Sequence, residues 1–308
     1  MNLSLQKAKL FLSVLFVFWC GATFGQIIKV DTLTKWRKSF KAGFNLNQAT
    51  FSSNWKAGGI NSVGFTAFLN YKANYKGERN SWDNEIDVIF GMINNQGQGY
   101  RKTLDRIFID TKYGHALNPK LDFALSANFI SQFSKGYKYF KNKSGGDSLQ
   151  IISDMFAPAF ITAAAGLEYH PSKFFKLRVS PVAPRITIVN DVARFVTTDN
   201  PKPYAISPGN TVRVEWLAAQ LLTEFDKDIF KNVNLKCRYI LFANYEELAI
   251  DRLYHRMDMN VTAKVGRFFN LNLGAILLYD HNQDTDAQLS QSFSLGALYT
   301  FQNFQDKK

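Results

Sequence analysis

Four histidines, His115, His170, His255 and His281, are the side chains best suited to proton transfer or metal binding in this chain of 308 residues. They lie far apart, and no P-loop, HExxH, CxxC or GxSxG spacing accompanies them. A Ser–His pair on neighbouring strands would need a serine beside an interfacial histidine. His255 sits on an apolar strand face, but the flanking segments 233–244 and 269–279 contain no serine. No enzyme activity and no cofactor are therefore expected. The run DHNQDTD has the oxygen spacing of a calcium loop in Asp280, Asn282, Asp284 and Asp286. Thr285 stands where such a loop needs its turn glycine, and Gln291 where it needs a bidentate glutamate, so a solvated acidic loop is the stronger reading.

The charges that alternate with apolar residues are more informative. Asp83, Glu85, Asp87, Asp110 and Asp122 fall on the polar faces of three alternating segments in the first half. Arg178, Arg185, Arg213, Lys236, Arg238, Arg252, Arg256 and Lys264 fall on the polar faces of four segments in the second half. If the segments are strands of a closed barrel, an acidic and a basic sector face each other across the lumen. Such an arrangement sets up a transverse field that makes a polar pore selective. The same charges also suit a filled lumen, where each neutralises another's burial. Loop 135–153 is long enough to serve as a plug. The two readings stand side by side, because twelve strands fall between filled small barrels and open porins.

The elements that must position these residues are strands. From about residue 40 the chain breaks into about twelve segments of period two, and no helical period competes over comparable lengths. The clearest has Leu121, Phe123, Leu125, Ala127 and Phe129 against Asp122, Ser126 and Asn128. Another has Met257, Met259, Val261 and Ala263 against Arg256, Asp258, Asn260 and Lys264. The segment 155–169 is ambiguous, and 174–189 is interrupted by Pro181 and Pro184. The next places Val212, Val214, Trp216 and Ala218 opposite Arg213 and Glu215. Cys237 lies on an alternating apolar face and reads as a small hydrophobe.

The connections are sorted by length. Loops at 48–60, 94–101, 135–153, 190–209, 246–251 and 281–290 are mostly longer than the turns at 76–80, 116–119, 170–173, 226–230 and 266–268. Long loops at one end and short turns at the other are the pattern of outer-membrane barrels. The apolar faces, ending in aromatics such as Tyr71, Tyr75 and Tyr279, then face lipid. The stretch SNWKAGG, with Asn54, Trp55, Gly58 and Gly59, becomes the first outer loop. Its glycines supply turning freedom, and Trp55 serves as an interfacial anchor or touches a ligand.

Residues 1–25 carry Lys7 and Lys9, the apolar run Leu10–Trp19 and a small-residue end at Gly21–Gly25. This is the order of a secretory signal peptide, too short to span a bilayer. Cleavage is expected between Gly25 and Gln26, leaving 26–308 as one barrel domain. Removing that leader takes away two lysines and no acid, so 35 basic residues remain against 25 acidic ones, a charge of +10. No Lys/Arg run points to nucleic acid. Outer-membrane lipid or lipopolysaccharide is the expected partner of the basic charge. A small polar solute or a membrane protein partner completes the expected set.

Several short stretches carry a resemblance: SNWKAGG (53–59), SWDN (81–84), KTLDR (102–106), KYG (112–114), SQFSKGY (131–137), FAPAF (156–160), GLEYHP (166–171), LFANY (241–245), LLYD (277–280) and LYTF (298–301). In this order they resemble the domain of unknown function 3078 family, presumed outer-membrane barrels of Bacteroidota. The resemblance implies a membrane location and brings no catalytic residues. The tail QNFQDKK after Phe301 departs from the aromatic ending common in barrels. Two roles from different classes follow: a passive channel for small polar solutes, or a non-conducting scaffold that binds a partner or lipopolysaccharide through its outer loops.

Overall fold

The computed structural model describes residues 35–50, 60–141, 147–197, 200–266, 269–284 and 286–303. The expected signal peptide, and Asn54, Trp55, Gly58 and Gly59 of the first loop, lie outside the described residues. The strands in chain order are β1 (Trp36–Ala49), β2 (Ser62–Lys76), β3 (Asn80–Asn95), β4 (Gly99–Asn118), β5 (Leu121–Ser131), β6 (Gly136–Lys141), β7 (Asp147–Ser153), β8 (Ala159–Ser172), β9 (Phe175–Val182), β10 (Arg185–Ile188), β11 (Val212–Glu215), β12 (Ala218–Phe230), β13 (Val233–Asn244), β14 (Tyr254–Val265), β15 (Phe269–Tyr279) and β16 (Gln288–Gln302).

Twelve of these strands close into an antiparallel ring: β1 to β5, β8, β9 and β12 to β16. The seam is β1 against β16, from Ser39 opposite Gln302 to Leu46 opposite Leu295. Closure leaves no free edge, so the backbone of the ring meets its hydrogen-bonding needs without water. The line of β9 breaks at Pro181 and Pro184, which cannot donate to a ladder. It resumes as β10, which pairs with the outer end of β8 and with β11. Ala183 N–H donates to Ala218 O across the break (2.7 Å). The β12 line is likewise interrupted at Trp216–Leu217, and this corrects one expectation. Ala218 does not share the face of Trp216: it is buried in the lumen at 1% exposure, whereas Trp216 is exposed. The break shifts the alternation by one residue.

Two loops also differ from expectation. Segment 94–101 is mostly strand, because β3 and β4 run on to a tight turn at 96–98, where Gly97 (φ 78°) and Gly99 (φ 69°) take left-handed conformations. In segment 135–153, β6 and β7 form their own two-stranded hairpin, paired apart from the ring, and none of its described residues lines either lumen cavity.

The outward faces are apolar and exposed, as a lipid-facing wall requires. Trp36, Trp82, Tyr113, Tyr169 and Tyr299 mark the end that carries the short turns (the inner end), all at least 37% exposed. Towards the outer end the rings of Phe44, Phe65, Phe90 and Phe133 form a row, with successive centroids 5.7, 6.2 and 5.1 Å apart. Asn84, which interrupts the apolar face of β3, has its needs met locally. Its Nδ2 donates to Ala73 O (3.0 Å), and its Oδ1 accepts from Thr111 Oγ1 (2.8 Å), itself an acceptor from Trp82 Nε1 (2.8 Å).

Gly166 marks the closest backbone approach among the described glycines. The pairing of β8 with β9 shifts register there, between Ala165 and Leu167. A Cβ at Gly166 would lie 2.0 Å from Val179 O and 2.6 Å from Ser180 Cα. Both are backbone atoms, so the neighbour cannot rotate away. Gly166→Ala is expected to destabilise the refolded barrel by about 3 kcal/mol in urea unfolding. A loss under about 1 kcal/mol would mean that β8 and β9 accommodate the methyl group without strain.

Candidate functional site

The lumen is the site, and strand alternation builds it. Every second residue of each strand points inward, so acidic residues two apart on β3 (Asp83, Glu85, Asp87) and basic residues two apart on β13 (Lys236, Arg238) enter the same space. In the ring order β3 and β13 are six strands apart in either direction, hence diametrically opposite. Their side chains meet. Glu85 accepts from Lys236 Nζ (2.8 Å) and pairs with Arg238, and Arg238 also donates to Glu224 Oε1 (2.7 Å). The neighbouring opposed strands β4 and β14 do the same through Arg106 and Asp258 (2.7 Å). Arg106 also pairs with Asp87, and Asp258 with Arg256 (2.9 Å). A second chain of pairs runs from Asp83 to Lys112 (2.9 Å), on to Glu168, from Glu168 to Arg178 (3.1 Å), and from Arg178 to Asp110 (3.3 Å).

The sectors read from sequence therefore face each other but do not stay apart. Arg106 and Lys112 sit among the acids, and Glu168, Glu224 and Asp258 among the bases, so the charges interlock across the lumen. Asp122 lies inward near the inner end, with one oxygen 3.2 Å from His170 Nε2. Lys264 is exposed close to the same end. Arg213 and Arg185 lie near the outer mouth on β11 and β10. Arg252 corrects its expected place: it belongs to a 3₁₀ turn at Ile250–Arg252 in an outer loop, because the strand starts two residues later.

The two opposed bridges divide the lumen. On one side Phe108, Ile130, Phe160, Leu222, Ile240 and Phe242 pack into a buried apolar cluster. On the other side a cavity of about 130 Å³ runs against β1, β2 and β14 to β16. Its wall is mixed: Asn45, Thr66, Asn260, Asn272, Ser290, Ser292 and Ser294 stand beside apolar Phe68, Ile89, Leu104 and Ile276 and beside the bridge residues Arg106, Arg238 and Asp258. Asn45 lies across Gly296, where a Cβ would come within 1.8 Å of its Oδ1. Asn45 Oδ1 and Asn272 Nδ2 are buried and have no hydrogen-bond partner among the described residues. Sequence reading missed this slot. Its signal was the run Ser290, Ser292, Ser294, Gly296, where a filled barrel would carry larger side chains.

The remaining candidates are placed by local contacts. His255 Nδ1 is 2.7 Å from Tyr239 Oη on the lipid-facing side, and His115 Nδ1 is 2.8 Å from Asn80 Oδ1. In the acidic loop, Asp280 accepts from Asn282 N–H (3.0 Å) and Gln283 Nε2 (2.7 Å), and Asp284 accepts from Asp286 N–H (3.0 Å). These carboxylates cap their own turns, and no cluster with metal-ligand geometry occurs among the described residues.

Asp280 is buried at 6% exposure. Burial pushes its carboxyl above the ordinary 3.8, against the hydrogen bonds from Gln283 and Asn282. The folded state then binds this proton more tightly than the unfolded state, so the carboxyl costs stability as pH rises above that value. Asp280→Asn keeps an oxygen acceptor and removes the charge. It is expected to flatten the fall of Tm with rising pH just above that value. An unchanged slope in a pH series of thermal unfolding would count against the buried charge.

A closed ring of antiparallel strands with a lipid-facing apolar belt and a polar lumen defines a membrane-spanning β-barrel of the outer-membrane type. Residues 46–137 match the family described as "Protein of unknown function (DUF3078)", the family that the sequence resembles. Solved structures with a similar course include the translocator domain of the autotransporter NalP from Neisseria meningitidis, 10% identical over 96% of this chain and 96% of that one, TM-score 0.35. An outer membrane channel from Pseudomonas putida F1 is 10% identical over 91% of this chain and 98% of its own, TM-score 0.37. The NanC porin is 6% identical over 85% and 98%, TM-score 0.37. No curated protein sequence matches the chain.

Proposed function

We propose that the protein is a narrow channel for small polar solutes, carried by the slot beside the opposed ion-pair bridges. The observation behind this reading is the asymmetry of the lumen. One half is packed with apolar side chains, while the other keeps an open slot in which serines and amides stand among apolar residues, and two of those amides keep unused hydrogen-bonding capacity. A wall built only to fill space would not keep hydroxyls and amides there, since each buried polar group without a partner costs stability. The bridges form one side of the passage and hold charge of both signs against it. This reading places the mature chain in the outer membrane of a Gram-negative cell, exported by its signal peptide. It also treats the protein as non-enzymatic, in keeping with the pairing of His255 to a tyrosine at the lipid face.

A second reading has its own observation. Ion pairs span the full width of the lumen, so the barrel also suits a non-conducting scaffold that offers its outer loops to lipopolysaccharide or a membrane protein. Planar-bilayer recording of refolded residues 26–308 separates the two. Small, stable, ohmic steps are expected from the channel. A folded, heat-modifiable barrel without steps would sink that reading and leave the scaffold.

A further inference from the structure

At the outer mouth lies a second cavity, of about 30 Å³, distinct from the slot. Arg185 lies at its wall, 4% exposed, with its guanidinium 3.4 Å from the Phe242 ring centre, 4.9 Å from that of Tyr254 and 5.4 Å from that of Phe160. Its Nε donates to Thr162 Oγ1 (3.2 Å), and among the described residues no carboxylate comes within ion-pair distance. The three acids that line the cavity are engaged elsewhere, Glu247 by Arg213 (3.2 Å). Glu215 is held by Arg213 (3.2 Å) and Asn244 Nδ2 (3.2 Å), and Asp280 by its own loop. From the loop between β10 and β11, Tyr204 also lines this cavity: its N–H donates to Asn282 O (2.8 Å), and its side chain is buried.

A guanidinium fixed on aromatic faces keeps its two terminal nitrogens as a planar fork, the geometry that matches a carboxylate through two parallel hydrogen bonds. A buried cation without an anionic partner is expensive, whereas the other lumen arginines have carboxylates at hand. A cavity of this size holds about two water molecules. That suits a planar three-atom carboxylate better than a tetrahedral phosphate.

We propose that Arg185 and its aromatic box form a binding site for the carboxylate of a small solute at the outer mouth. The site stands whether or not the slot conducts. The test is thermal unfolding of refolded 26–308 in detergent at constant ionic strength, with formate replacing chloride. A saturable rise in Tm is expected for the native chain. It should vanish in Arg185→Met, weaken at least about tenfold in Arg185→Lys, which keeps the charge and loses the fork, and persist in Lys231→Met at the opposite end. No formate-dependent rise in the native chain overturns the site, independently of how the variants fold. A rise that survives in Arg185→Met also overturns it. Inorganic phosphate giving a larger rise than formate would overturn the carboxylate assignment and point to a phosphorylated headgroup.

Discussion

Arg238→Met should lower the unfolding free energy of the refolded barrel by about 3–5 kcal/mol, the cost of removing one partner from a buried ion pair. Arg238 is 3% exposed and bridges two acids, Glu85 from the opposite wall and Glu224 from the adjacent strand. Its guanidinium carbon also lies 4.0 Å from the Phe108 ring centre, and methionine keeps much of that apolar contact. The loss therefore reports on the charge. Glu85 retains Lys236 and Asn70 (2.8 and 2.7 Å) after the substitution, whereas Glu224 loses its ion pair. Adding Glu224→Gln should recover a large part of the stability, because the double variant no longer buries an unpaired carboxylate. Urea titration of the native chain, the two single variants and the double variant measures the coupling. A single-variant loss under about 1 kcal/mol would show that these pairs behave like solvated surface pairs, and the bridge would not be a wall.

Ser292→Trp is expected to abolish most of the conductance that the slot supports while leaving stability within about 0.5 kcal/mol. Ser292 faces the slot from the middle of the serine run, and its Oγ lies 2.8 Å from where a Cβ on Gly274 would stand. An indole there fills the open half of the lumen beside Arg106, Arg238 and Asp258, the bridge members that line the same cavity. Ala127→Trp, on the lipid-facing side of β5, should change neither conductance nor stability to that degree. Single-channel recording on the three proteins checks this. Steps of native size in Ser292→Trp would place the conducting path elsewhere, most directly through the bridges themselves.

Much of the barrel is legible in the sequence, because a wall between lipid and a polar lumen forces strict alternation. The faces of β5, β13, β14 and β15 follow from residues such as Leu125 against Ser126 and Met259 against Asn260. The opposition of Asp83, Glu85 and Asp87 to Lys236 and Arg238 follows from counting strands. What alternation does not carry is a change of phase. Alternation puts Ala218 on the wrong face because Trp216–Leu217 breaks the strand, and nothing in the period announces that break. Loop 135–153 shows a further limit, since its length alone does not announce the hairpin that β6 and β7 form. The slot is hard to read because serines signal weakly: Ser290, Ser292 and Ser294 define a site by how little space they fill. In sequence Arg185 reads as one more lumen base, and only its aromatic neighbours, drawn from three other strands, set it apart.

The bridge between β3 and β13 also bears on how the barrel is made. Glu85 and Arg238 are 153 residues apart in the chain, and Arg106 and Asp258 come from the same two distant regions. A chain whose first five strands have formed would hold Glu85 and Asp87 without their opposed partners, facing an open trough. The charges of the late strands are needed to neutralise the early ones, so a half-built wall has little to keep it in a dry environment. Assembly is then expected to be strongly cooperative and slow in its late stage, with the ring committing only when its final third arrives. The same pairs that narrow the lumen would thereby act as a check that the barrel has closed in the correct register.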